Sequence, residues 1–163
     1  MREEEEYLRW CLRENKGIKI VEPSENLVKA YLQKSGNALK SMEVNAQAGL
    51  VEWAVSAGYY AKYFAVYSLL SKIGAKCEMH DCTITLFEYL FSDSLPKELL
   101  KELRDSKEDR VEFQYYTREI NIDLQQVVKE TKRFALEIEK TIDGLNAERI
   151  SEAREKLKLL TLR

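Results

Sequence analysis

The stretch Cys77-Glu-Met-His-Asp-Cys82 places two thiols and the only imidazole of the chain within six residues. Zinc takes thiolate sulfur and neutral imidazole nitrogen, and Cys11 could stand as a distant fourth ligand. The spacing is not that of a common zinc knuckle, however, and no second Cys or His pair follows it. Neither a metal nor a cofactor is therefore expected, and His80 reads as a helix cap beside half-buried thiols. A nucleophilic Cys77 or Cys82 would need a thiolate stabilised by a cation or a helix N-terminus. Both stand near such a terminus, but no third member of a triad can be named, so structural thiols are the expectation.

Four of the nine tyrosines, Tyr59, Tyr60, Tyr63 and Tyr67, crowd into the turns just before this stretch. Rings next to Lys62 and Lys72 could stack nucleic-acid bases. Core packing is the stronger reading, because a buried tyrosine asks only for a partner at its hydroxyl, and Ser56, Ser68 or a carboxylate from another helix would serve. The six glycines are scattered singly, which excludes glycine-rich phosphate loops.

The elements that must position these residues are helical. A first short helix runs from about Glu3 to Arg13 with Tyr7, Leu8, Cys11 and Leu12 on one side. Ile18 and Ile20 alternate with lysine in a short extended piece that has no evident partner strand. Ser24, after Pro23, caps a second helix whose stripe is Val28, Leu32, Ser35, Leu39, Met42 and Ala46. A third helix, apolar almost all round, runs to about Ile73, with Gly74 as its left-handed cap and Val55, Tyr60, Phe64, Tyr67 and Leu70 at the bundle centre. His80 or Asp81 caps a short helix carrying Ile84, Leu86, Phe87, Leu90 and Phe91. Pro96 opens another that breaks near "DSKEDR". After the aromatic segment Phe113, Tyr115 and Tyr116, Asn121 caps a long helix striped by Leu124, Val128, Thr131, Ala135, Ile138 and Ile142. A last helix from about Asn146 turns Ile150, Ala153, Leu157 and Leu160 to one face.

The totals agree with that layout. A chain of 163 residues with 45% apolar and 33% charged residues and only two prolines suits a single all-α domain with a real core. Twenty-six basic against 28 acidic side chains give a net charge of −2 and no global field to draw in nucleic acid. Glu3 to Glu6 suit the positive end of a helix dipole. Three cysteines and no apolar leader favour a reducing, cytoplasmic setting. Lys62 and Lys72 interrupt the most apolar stretch, so no membrane association is expected.

In "AVSAGYYAKYFAVYSLLSKIGAKCEMHD" the chain resembles the HEPN superfamily, in particular its small prokaryotic stand-alone branch. That branch reads Ala-Val-Ser-Arg-Ala-Tyr-Tyr-Ala, then an aromatic and a His, a Leu-Leu pair, a glycine and a Thr-His-Lys turn. Ala54, Val55, Ser56, Tyr59, Tyr60, Ala61, Leu69, Leu70, Gly74 and His80 match in order. "DRVEFQYY" is similar to the family's Arg-x-x-Ala-Asp-Tyr segment through Arg110, with Tyr115 as the candidate for its tyrosine. The likeness covers roughly Leu27 to Ile142 and leaves the first and last helices as additions.

The resemblance implies an up-and-down antiparallel helical bundle with additional N- and C-terminal helices, a homodimer, and association with a minimal nucleotidyltransferase, a nucleotide or RNA. Many members resemble RNA-cutting toxins that carry an Arg four to six residues before a His, the pair polarising phosphate and moving a proton. This chain departs from that pattern: Ala57 and Phe64 stand at the family's helix Arg and His, and His80 has only Lys76 before it. Lysine lacks the bidentate fork of arginine. The expectation is thus a non-catalytic binding module with Lys62, Lys76 and His80 as candidate phosphate contacts. A divergent ribonuclease using His80 with Lys76 and a purely structural dimeric scaffold are the alternatives.

Overall fold

A computed structural model describes residues 3–116 and 121–162. Its elements run α1 (Glu3–Arg13), β1 (Lys19–Ile20), α2 (Glu25–Gln47), α3 (Val51–Ile73), β2 (Ala75–Lys76), α4 (His80–Phe91), α5 (Lys97–Tyr115), α6 (Leu124–Asp143) and α7 (Ala147–Leu159). The architecture is all-α, a helical bundle with one small sheet. Sixteen of the 23 residues of α3 are buried, and the hydrophobic core takes residues from all seven of these helices. A helix with no polar face can satisfy its apolar surface only when neighbours cover it on several sides.

Polar groups set the pairing directions. Ser35 Oγ donates to the Ala61 carbonyl at 2.7 Å and Ser68 Oγ to the Val28 carbonyl at 2.8 Å, so the partners run in opposite order along α2 and α3. Lys72 pairs with Glu25 at the far end of the same helix pair. Caps follow the chemistry of helix termini: Ser24 Oγ accepts from the Leu27 amide and Asn146 Oδ1 from the Arg149 amide.

Several expectations need correction. The extended piece does find a partner: Lys19 and Ile20 pair antiparallel with Lys76 and Ala75, a strand too short to register in a sequence pattern. α5 does not break at "DSKEDR" but continues to Tyr115. Its charges dock it: the Arg104 guanidinium donates to both carboxylate oxygens of Glu88 (3.0 and 2.7 Å) and to Thr85 Oγ1 (3.0 Å), and Lys107 pairs with Asp81 at 2.5 Å. α6 is capped by Asp123, not Asn121. Neither His80 nor Asp81 caps α4, whose N-cap position is Met79 with no side-chain bond. On α3 the rings at the centre are Tyr59, Tyr63 and Tyr67, while Tyr60 and Phe64 are half-buried, because a helix apolar all round carries no moment to fix its rotation.

The thiol reading also changes. Cys11 and Cys82 form a disulfide with 5.8 Å between their Cα atoms, tying α1 to α4 and leaving Cys77 as a buried free thiol. Two sulfurs bonded to each other are no metal ligands. The terminal helices are further secured at the other end, where Arg154 of α7 donates through Nη1 to the carbonyls of Val21 (3.0 Å) and Ile73 (2.7 Å).

Gly74 ends α3 with φ at 85°, and a Cβ there would sit 2.2 Å from Arg154 Nη1 and 2.3 Å from the Val21 carbonyl oxygen. Gly74→Ala should therefore cost roughly 2–4 kcal/mol of unfolding free energy in a urea titration. Gly36, inside α2, has open space where a Cβ would stand and gives the opposite sign: Gly36→Ala should gain about 0.5–1 kcal/mol. Reducing the Cys11–Cys82 bond, which spans 71 residues, should lower stability by roughly 2–4 kcal/mol, read as a fall in Tm on adding dithiothreitol that Cys11→Ser reproduces.

Candidate functional site

Tyr59, Tyr63 and Tyr67 lie four residues apart on α3, and each hydroxyl meets the segment from Cys77 to Thr83. The Cys77 amide donates to Tyr67 Oη at 3.1 Å. Thr83 Oγ1 donates to the Met79 carbonyl (3.0 Å), so its lone pair is what the Tyr63 hydroxyl reaches at 3.3 Å. Tyr59 Oη lies 2.5 Å from His80 Nδ1. The sequence suggested Ser56, Ser68 or a carboxylate as partners, but Ser68 is spent on Val28 and Ser56 Oγ is buried with no hydrogen bond among the described residues. Burial pushes all three phenols up, that of Tyr67 to about 12, so they stay protonated.

His80 opens α4 and is half-buried among rings. It stacks on Tyr63 with centroids 4.3 Å apart and planes 10° from parallel, and meets Tyr60 edge-on at 6.2 Å. Arg110 of α5 completes the corner, its guanidinium 5.4 Å from the Tyr59 centroid and 5.2 Å from that of Tyr60. Its Nε donates to Gln114 Oε1 at 3.2 Å, and no carboxylate of the described residues pairs with it. Burial first, then the charges of Arg110 and Lys107, hold the imidazole below its usual value, with Asp81 opposing. Next along α5, Gln114 and Tyr115 line a shallow hollow with Glu52 and Trp53, and the two aromatic residues are 72% (Tyr115) and 60% (Trp53) exposed.

The residues marked by sequence separate here. His80 is at the corner. Lys62 is only 6% exposed: its ammonium lies 3.0 Å from Glu102 and 2.8 Å from Ser106 Oγ, and Glu102 is shared with Arg133. It serves as an internal tie between α3 and α5, and the buried charge is compensated there. Lys76 is exposed on β2 and pairs with Glu78 at 3.3 Å, and it is not among the charges acting on His80. Sequence reasoning missed Arg110 as a neighbour of His80. The only signal for it was the similarity of "DRVEFQYY" to a family segment, because 30 positions of chain separate the two residues.

A helical bundle with a half-buried His and Arg brought to the same tyrosine rings from two helices defines an all-α module. The chain belongs to the HEPN family: the family model described as HEPN domain matches residues 28–145, from α2 through the turn after α6, with α1 and α7 outside the match. No curated protein and no solved structure matches it. No helix of the described residues is long and apolar enough to cross a membrane.

A lowered histidine value fixes the sign of a pH effect. Above about 6.5, the ordinary value, folded and unfolded chains both hold His80 neutral; as pH falls the unfolded chain takes the proton first, so His80 withdraws stability down to its folded midpoint. An NMR titration of this single histidine should give a midpoint below 6.5. Urea melts over the same window should lose less stability in His80→Gln than in the parent chain.

Proposed function

We propose that this HEPN module binds RNA or a nucleotide through its phosphate at the corner of His80 and Arg110, with Trp53 and Tyr115 offering ring faces to bases. The observation that carries it is the Arg110 guanidinium, laid over two tyrosine rings beside a neutral imidazole and without a carboxylate partner among the described residues. An arginine fork matches a phosphate geometrically where a lysine does not, and exposed aromatic faces next to a cation are the elements of single-strand binding. Lys107 adds charge on the same helix, although Asp81 pairs with it.

A second reading, a divergent ribonuclease, has one observation in its favour. Arg110 and His80 meet the same two tyrosine rings although they lack the family's local spacing, so phosphate polarisation would come from Arg110 and not from Lys76. We further infer a homodimer or a partner of a minimal nucleotidyltransferase, as in toxin–antitoxin pairs. Supporting it are the family membership and the exposed Leu50, Trp53, Tyr115 and Tyr116.

Fluorescence anisotropy with short single-stranded RNA and with mononucleotides tests the first reading. Arg110→Ala should weaken binding about tenfold or more and lower the salt slope by about one, whereas Lys76→Ala should leave both within about twofold. Equal binding by parent and Arg110→Ala would leave only the scaffold reading, with light scattering then expected to give twice the 19.1 kDa chain mass. RNA cleavage lost in both His80→Ala and Arg110→Ala would favour the nuclease.

A further inference from the structure

We infer that Tyr59 fixes His80 as the neutral tautomer protonated on Nε2, so that the corner presents hydrogen-bond donors alone. The ligand this suits is a phosphate oxygen, and in that respect the inference rests on the phosphate-binding reading above. Tyr59 is 1% exposed, and among the described residues the hydrogen-bond neighbour of its hydroxyl is His80 Nδ1 at 2.5 Å. A buried hydroxyl hydrogen needs an acceptor, and buried donors left without one are rare because the loss of hydration is not offset. The phenol must then donate to Nδ1. The reverse arrangement, Nδ1–H donating to the phenol oxygen, would strand the phenol hydrogen in the core.

A neutral imidazole that accepts at Nδ1 carries its hydrogen on Nε2. Charging the ring would require a hydrogen on Nδ1 as well, against the phenol hydrogen that already points there. On balance the surroundings oppose that charge. α3 contributes the rings of Tyr59, Tyr60 and Tyr63, α5 the cations Arg110 and Lys107, and α4 the carboxylate Asp81, which favours the charge but is paired with Lys107. His80 is also the first residue of the 12-residue α4, where the helix dipole disfavours a cation. Burial and these cations hold its protonation midpoint low.

The consequence is chemical. Nε2 is the nitrogen left for a ligand, and with its hydrogen in place it has no lone pair with which to remove a proton from a ribose hydroxyl. Beside it the Arg110 guanidinium is likewise a donor only. Two donors of this kind fit a non-bridging phosphate oxygen, which makes Tyr59 a positioning residue that steers the corner toward holding a phosphate over cutting at one.

The test uses the full chain, uniformly 15N-labelled, with no ligand present. Because the chain has one histidine, long-range proton–nitrogen correlations of the imidazole report His80 without ambiguity. At neutral pH the expected spectrum shows a protonated Nε2 and an unprotonated Nδ1. A protonated Nδ1, or an average of both tautomers, overturns the inference. In Tyr59→Phe the two tautomers should mix and the midpoint rise toward the ordinary 6.5, while Tyr60→Phe keeps the parent spectrum. An unchanged tautomer in a folded Tyr59→Phe also overturns it, and should that variant fail to fold, the parent spectrum still decides. Nucleotide affinity is measured separately on Arg110→Ala, so a wrong tautomer and an absent phosphate site give different failures.

Discussion

Three phenols on one helix hold the corner in place. Tyr59, Tyr63 and Tyr67 recur every fourth residue of α3, and their hydroxyls meet His80, Thr83 and the Cys77 amide in turn. The segment they hold has little regular structure of its own before α4 begins, and it is also tied by a two-residue strand pair, the Glu78 amide bonded to the Lys16 carbonyl, the Asp81–Lys107 pair and the Cys11–Cys82 bond. Each buried hydrogen bond is worth only about 1 kcal/mol net, but losing one partner leaves a polar group stranded in the core. The ladder therefore acts as a register: it fixes where α4 starts along α3 and hence where the imidazole stands.

A second set of polar ties orients α5 against the same central helix. Lys62 is buried between Glu102 and Ser106, and Arg104 and Lys107 reach across to Glu88 and Asp81 of α4. A buried pair such as Lys62–Glu102 adds little net stability, but breaking it strands an uncompensated charge, so it penalises sliding of one helix on another, while the partly exposed pairs of Arg104 and Lys107 add orientation. With α5 held in that register, Arg110 arrives over Tyr59 and Tyr60. Lys62, Arg104 and Lys107 thus meet carboxylates, whereas Arg110 meets Gln114 and two tyrosine rings and no carboxylate among the described residues.

Most helices were legible because their signals are local. Ser24, Gly74 and Asn146 mark termini through side-chain or backbone chemistry that acts within a few residues, and the stripe Thr131, Ala135, Ile138 and Ile142 has a period only a helix satisfies. The expected break in α5 fell on a run of charges. Glu88 and Asp81, which accept those charges, lie on another element, and no window along α5 contains them. The rotation of α3 was equally hidden, since a helix apolar on all sides looks the same whichever side is inward.

By itself the sequence determined an all-α chain, the caps Ser24 and Gly74, and an imidazole following a run of tyrosines, because each of these is written in spacing along one stretch, and the HEPN likeness came from matching residues in that order. Tertiary structure alone decided that Lys62 is spent inside the bundle, that Cys11 meets Cys82, and that Arg110 stands over the rings beside His80. The physical reason is common to all three: charge compensation, sulfur–sulfur bonding and ring–guanidinium contact depend on distances of a few ångströms between groups that the chain separates by tens of residues.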